Sequence, residues 1–299
     1  MNAYPTLSAQ APRFSRPAQL ERPQAGVGCA LHRLPVVDST NRYLADLAAG
    51  SSPAQTRTGT VVLADTQTAG RGKYDRVWAS LPESSLTFSV LLRPARPVED
   101  LAQTTLVVAV ALAEAIAQVT GLETEIKWPN DLMVRGRKLC GILCELVLTD
   151  DGEPAHIIAG VGLNLNHRKS DFPGALQGFA TSIALETGRQ VDRWELFTAV
   201  LERLDERLRE WEAEGFAPIR QAWSARSCTL GHEILVTHTG GAALRGTALR
   251  LEADGSLSLR DASGHIHNVV CGEISSPPDS STHGALPRTA PAKEENESK

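Results

Sequence analysis

Gln67-Thr-Ala-Gly-Arg-Gly-Lys-Tyr-Asp-Arg-Val-Trp78 is a glycine-rich run that carries three cations and closes on an indole. Glycines let backbone N–H groups come close to a phosphate, and Arg71, Lys73 and Arg76 would offset its charge. Two familiar phosphate loops are excluded by spacing. A P-loop needs Ser or Thr after the lysine and a glycine five residues before Gly72, where Tyr74 and Gln67 stand; a dinucleotide fingerprint needs glycine where Asp75 stands. Taken alone, the run equally fits a solvated surface hairpin.

The flanking segments read as strands. Gly59-Thr-Val-Val-Leu-Ala-Asp-Thr66 is an apolar run, and Leu86, Phe88, Val90 and Leu92 alternate with Ser85, Thr87 and Ser89 as in a half-buried strand. From Val98 to Gly121 the chain is rich in Ala, Val and Leu and reads as a buried helix closed by the glycine. Further strands are expected over Lys138–Thr149 and His156–Asn166. Asp192, with Glu195 three residues on, predicts a capped helix. Its apolar stripe, Trp194, Phe197, Leu201, Leu204, Leu208 and Trp211, should pack on a sheet before Gly215 ends it. Beyond Cys228, turn signals at Gly240-Gly241, Asp254-Gly255 and Ser263-Gly264 separate short β runs, as in a small meander or barrel. The expected division is a disordered tail over 1–28, a main domain over 29–227, a small β domain over 228–276 and a second disordered tail over 277–299.

The second chemically informative segment is Lys127-Trp-Pro-Asn-Asp-Leu132, followed by Gly136-Arg-Lys-Leu-Cys-Gly-Ile-Leu-Cys-Glu-Leu146. Pro129 favours an extended turn, leaving Asn130 and Asp131 at a strand end, where such a pair suits metal or nucleotide. Lys138 opens an apolar strand, as an anion ligand or as half of a structural salt bridge. Asp38-Ser-Thr-Asn41 precedes the helical pattern Arg42–Ala49, either capping it or facing a ligand with its hydroxyls. In Gly160-Val-Gly-Leu-Asn-Leu-Asn166 two glycines in a strand leave room for a flat ligand against the backbone.

The 299 residues are 42% hydrophobic, enough for a real core, and the formal charge of −5 argues against a general nucleic-acid or membrane-surface binder. Five scattered cysteines do not form a disulfide framework and fit a reducing, cytoplasmic setting. The N-terminus has no apolar signal core, and no stretch is read as a membrane span. Cys140 and Cys144 lack a second pair for zinc, while His265 and His267 read as one face of a solvated strand.

Taken in order, Asp38-Ser-Thr-Asn41, Gln67–Trp78, Lys127-Trp-Pro-Asn-Asp131, Gly136-Arg-Lys-Leu-Cys-Gly141 and Gly160-Val-Gly-Leu-Asn164 resemble the successive motifs of the biotin protein ligases. The resemblance runs from about Leu31 to Ser276. It implies an α+β fold, a mixed β-sheet with helices packed against it followed by a small SH3-like β-barrel. It implies an ATP-dependent ligase that forms biotinyl-5′-AMP and passes biotin to a lysine of a biotin carboxyl carrier protein, with ATP, biotin and magnesium as ligands. By the same resemblance the biotin site comprises Ser39, Thr40, Asn41, Gln67, Arg71, Gly72, Lys73, Lys138, Gly141, Gly160 and Gly162. The nucleotide site comprises Lys73, Arg76, Trp78, Lys127, Asn130 and Asn164. Lys138, Arg71 and Asp131 are the expected catalytic residues, with Asp131 also near magnesium and a candidate to assist deprotonation of the acceptor lysine.

The chain departs from the family's usual Gly-Arg-Gly-Arg-x-x-Arg-x-Trp in having Lys73 at the second basic position and Asp75 where many members have glycine. Some members are also repressors, which needs a DNA-binding module ahead of the catalytic part. Only a Pro-rich segment precedes Leu31, so DNA is not an expected partner and the monofunctional type is. A lipoate or octanoyl ligase of similar fold is the nearest rival. A homodimer stays open.

Overall fold

The computed structural model describes residues 25–74, 76–149, 151–237 and 243–275. Residues 1–24 and 277–299 of the expected tails, Asp75 and the Gly240-Gly241 turn lie outside these, but residues 25–28 of the first tail are part of the fold: Val27 is buried in the core and its N–H donates to Asp205 Oδ1 at 2.9 Å. Seven strands form one mixed sheet: β1 (Ala30–Val37), β2 (Thr60–Gln67), β3 (Ser85–Leu92), β4 (Glu125–Lys127), β5 (Asp131–Val134), β6 (Arg137–Leu148) and β7 (Pro154–Asn164). Their order is β1-β2-β3-β7-β6-β5-β4, parallel only between β1 and β2. A five-stranded antiparallel sheet follows, built from β8 (Glu233–Thr237), β9 (Ala243–Leu251), β10 (Leu257–Arg260), β11 (Ile266–Val269) and β12 (Glu273–Ser275) in the order β11-β10-β9-β8-β12. This is the expected fold: a mixed sheet with helices, then a small SH3-like unit.

The two faces of the large sheet are covered differently. On one lie α2 (Thr104–Thr120), α4 (Arg193–Glu214) and α5 (Ala217–Ser224), whose apolar residues join Leu86, Phe88, Val90, Ala159 and Val161 in the main core. On the other, α1 (Thr40–Ala49) buries Leu44 and Ala48 against Val62, Leu91 and Ile158. That second face carries the polar half of β3. All eight residues of β3 are buried, not half of them: Ser89 and Leu91 lie under helix α1, and Ser85 Oγ accepts from Leu81 N in the preceding turn.

Two other expectations need correction. Helix α2 begins at Thr104, after a 3-10 stretch over Val98–Gln103, a tighter winding common at helix N-termini. With that stretch, Val98–Thr120 is long and apolar enough by composition to cross a membrane, but it is a core helix, 67% buried. Helix α4 packs mainly on α2 and α5, and reaches the sheet through Phe197, whose ring meets Phe88 edge-on at 5.4 Å. Its N-cap is as expected: Asp192 accepts from Trp194 N and Glu195 N.

Candidate active site

Strand register builds a trench on the α1 face. Thr87 on β3 pairs with Gly162 on β7, Gly162 with Gly141 on β6, Gly141 with Asp131 on β5, and Asp131 with Lys127 on β4. One row across five strands thus runs from a hydroxyl over two glycines to a carboxylate and an ammonium. The glycines leave a flat floor, and the Trp78 ring lies on it. A Cβ on Gly162 would fall 2.3 Å from Trp78 Cε2, and one on Gly141 3.1 Å from Cζ3. The flat group against the glycines is therefore a side chain of this protein.

Lys138 reaches this face through a β-bulge. Alternation alone would put it on the Cys140 side, in the core. The β5–β6 register slips between Leu132 and Met133, so Leu132 pairs with Cys140 but Met133 with Lys138, and Leu139 is the extra residue. Leu139 and Cys140 both turn into the core, and Lys138 turns to the trench. There its Nζ lies 2.7 Å from Asp131 Oδ1, 5.8 Å from the Trp78 ring centroid and 3.3 Å from where a Gly141 Cβ would be. Its backbone is held as well, Lys138 N donating to Phe179 O at 2.7 Å and Lys138 O accepting from Thr181 N at 2.9 Å.

The glycine-rich run is a closed hairpin. Gly72 N donates to Arg76 O at 2.7 Å and Trp78 N to Gly70 O at 2.9 Å, with Tyr74 at φ 57° in the turn. Gly70 has no room for a side chain, since a Cβ would sit 2.3 Å from Trp78 O; Gly72 does. Arg71 Nη1 pairs with Glu145 Oε1 at 3.0 Å, and Arg76 reaches out to Glu273 on β12. Lys73 turns inward and is half-buried, with no ion-pair partner among the described residues. Burial lowers its pKa from the ordinary lysine value, against smaller raising effects from Cys144, Asp131 and Cys271, and nearby Lys138 lowers it further.

At the α1 end, Ser39 is the N-cap by backbone, but its side chain makes no capping bond. Thr40 N and Oγ1 both donate to Gln67 Oε1, at 2.8 and 3.0 Å. That leaves Ser39 Oγ and Gln67 Nε2 without partners among the described residues. Asn41 is fully engaged by the protein, its Nδ2 on Glu145 Oε2 at 2.7 Å and Leu143 O at 3.2 Å, its Oδ1 on Ser89 Oγ at 2.6 Å. Gly160 makes room for it, since a Cβ there would lie 2.2 Å from Asn41 Oδ1. Asn130 Nδ2 donates to Ile142 O at 2.8 Å and Asn164 Nδ2 to Thr181 O at 3.0 Å.

The structure therefore gathers Ser39, Thr40, Gln67, Lys73, Trp78, Gly141, Gly162, Asp131 and Lys138 around one trench, with Arg71 on its rim. It commits Asn41, Asn130 and Asn164 to internal bonds and sends Arg76 to the second sheet. Sequence reasoning missed Thr87, Ser89 and Glu145. The first two were visible as the polar half of an alternating strand. Thr87 Oγ1 and Trp78 Nε1 are buried without a hydrogen-bond partner among the described residues. Among the described residues no three His, Cys, Asp or Glu side chains gather as a metal site. Burial raises the Cys140 thiol, and raises that of Cys144 to about 11, so neither offers a thiolate near neutral pH. His265 lies ahead of β11 rather than on it, and His267 Nε2 is 2.6 Å from Asp261 Oδ2.

Unpaired donors at one end and cations at the other, on either side of a Trp78 ring seated on glycine and beneath a cationic hairpin, suit an acyl group joined to a phosphate. Residues 34–164 match the Biotin/lipoate A/B protein ligase family. The chain is 36% identical over 236 residues to the biotin–[acetyl-CoA-carboxylase] ligase of Paracoccus denitrificans, covering 76% of this chain and 92% of that one. It is 35% identical over 229 residues to the bifunctional ligase/repressor BirA of Bacillus subtilis, covering 77% and 69%. The biotin protein ligase of Aquifex aeolicus, solved with biotin and ATP, superposes with a TM-score of 0.70 at 30% identity, covering 82% of this chain and 97% of that one. The chain belongs to the biotin/lipoate protein ligase family and, within it, to the biotin protein ligases, enzymes that use biotin and ATP.

Proposed function

We propose that this chain biotinylates a lysine on the carboxyl carrier domain of acetyl-CoA carboxylase or a related carboxylase, through a biotinyl-AMP held in the trench. The observation that carries this reading is the approach of Lys138, by way of the Leu139 bulge, to the Asp131 end of the glycine floor. Ser39, Thr40 and Gln67 would receive the biotin head. In the first step the biotin carboxylate oxygen bonds to the α-phosphorus of ATP as the bond to pyrophosphate breaks. Two anions must approach, so preorganised positive charge at Lys138, Lys73 and Arg71 lowers the barrier. In the second step the neutral amine of the acceptor lysine attacks the acyl carbon, AMP leaves and the amine gives up its proton. The hairpin shields the anhydride from water between the steps.

Asp131 holds the Lys138 ammonium at 2.7 Å, which supports a role in placing that charge. A single carboxylate so engaged fits a magnesium ion carried on the ATP phosphates and their waters better than a resident metal. Bound there, magnesium would offset phosphate charge. Five free thiols and dependence on ATP support a cytoplasmic setting. The reading divides the chain near Ser227, where the backbone is stitched to Ile126 of β4. The test is incubation with MgATP and either biotin or lipoate, with mass spectrometry for the acyl adenylate, followed by addition of a purified carrier domain. Lipoyl-AMP as the sole adenylate, or an adenylate that never reaches the carrier lysine, would overturn the reading.

A further inference from the structure

We propose that Glu186 is a positioning residue for Lys138, acting through the loop that clamps the lysine's backbone; this rests on reading Lys138 as the group that stabilises the adenylation transition state. Glu186 lies on the short helix α3 (Ile183–Thr187), outside every motif of the sequence, and its side chain is only 1% exposed. Its Oε1 lies 2.7 Å from Arg137 Nη2, its Oε2 3.6 Å from Arg135 Nη1, and the Thr181 hydroxyl bonds to it. Arg137 is the chain neighbour of Lys138, and Thr181 N is the donor to Lys138 O. One buried carboxylate therefore ties the strand carrying the lysine to the segment that holds it.

The clamp is continuous. Phe179 O and Thr181 N grip the two sides of the Lys138 peptide, and Thr181 O accepts from Asn164 on β7. A bulge supplies no regular ladder partner for the extra residue, so a bulged strand holds its aim only where something else fixes it. The Glu186 network does this beside Leu139. Without the carboxylate charge the ion pairs to Arg137 and Arg135 are lost, and Arg137 and Thr181 share only a neutral acceptor, so the 179–181 segment loosens and Lys138 can drift toward the core side that simple alternation prefers. A displacement of about 1 Å at such a group costs on the order of a hundredfold in rate.

Glu186→Gln is a fair probe because Arg137 and Arg135 are 36% and 76% exposed, so water still solvates both guanidinium groups and the fold survives. The experiment is a double-mutant cycle on biotinyl-AMP formation by the full chain, with Glu186→Gln, Lys138→Ala and the double variant. The expected result is a kcat roughly 10- to 100-fold lower in Glu186→Gln, with KM for ATP changed less than threefold. Glu186→Gln should have no further effect once Lys138 is Ala. Additive losses in the double variant, or a lowered melting temperature with kcat within twofold of the native enzyme, would make the role structural and overturn the proposal. If Lys138→Ala itself adenylates normally, the reading of Lys138 fails instead, and the cycle separates the two failures.

Discussion

Gly162 and Trp78 are a matched pair: the missing side chain of one is the space taken by the ring of the other. A Cβ on Gly162 would meet Cε2, Nε1 and Cδ2 of the indole at 2.3, 2.4 and 2.8 Å. Three ring atoms at that range leave no small adjustment. Gly162→Ala must lift the indole off the floor, and with it the hairpin strand that ends at Trp78.

The expected outcome for Gly162→Ala is a folded protein with a strain of about 1–3 kcal/mol and a red-shifted tryptophan emission as the ring meets water. Biotinyl-AMP formation should fall with it. Isothermal titration with biotin and an emission spectrum check this together; unchanged emission with unchanged affinity would show that the floor, not the ring, gives way.

Lys138→Ala should lose about 3–4 kcal/mol of transition-state stabilisation, roughly 10²- to 10³-fold in the rate of adenylation. The Asp131 carboxyl then loses the cation 2.7 Å from it at the trench end, so binding of the ATP phosphates should weaken also. Pre-steady-state measurement of pyrophosphate release resolves the two effects. Adenylation within threefold of the native rate would remove Lys138 from the mechanism.

Thr87→Val has opposite signs for stability and for binding. The Thr87 hydroxyl is buried at the trench with no partner among the described residues, a state that costs about 1–3 kcal/mol, and valine has the same shape without the polar atom. The melting temperature should rise or hold. If the hydroxyl serves a ligand, the biotin Kd should increase several-fold in the same variant. A fall in melting temperature would mean that the hydroxyl has a partner in solution.

The elements that local chemistry dictates were legible in the chain. Asp192 caps α4 as its position ahead of Trp194 and Glu195 suggests, and Ser85, Thr87 and Ser89 mark the polar side of β3. What the chain order does not display is register. The bulge at Leu139 exists only in the pairing of β6 with β5, and it decides which way Lys138 points. The Glu145 carboxylate joins Asn41, 104 residues earlier, to the rim at Arg71. Glu186 meets Arg137 across 49 residues. Polar side chains at strand and helix ends serve ligand or fold alike, and Asn41 is bonded within the protein through both ends of its amide while Asn130 and Asn164 are so held through Nδ2. Burial sets the requirement that they be satisfied, and here the protein itself supplies the partners.

Lys73, where the family pattern has arginine, gives the last prediction. Its burial disfavours the ammonium, so its folded pKa lies below the ordinary lysine value of 10.5. For stability the sign follows directly. The folded state binds fewer protons at this site than the unfolded one between the lowered pKa and the ordinary value. Stability from this group therefore rises with pH through that window, is fully present above it, and is lost as pH falls through the folded pKa. For binding the sign is reversed, because an adenylate phosphate needs the ammonium. Its affinity should fall as pH rises through the lowered pKa, while the guanidinium of Lys73→Arg stays charged throughout. Arginine would also grip the phosphate at two points rather than one. Stopped-flow measurement of biotinyl-AMP dissociation across the alkaline range should show a rising off-rate in the native enzyme and a slower, flat one in Lys73→Arg. Parallel profiles would mean that Lys73 does not touch the phosphate and that Lys138 and Arg71 hold it alone.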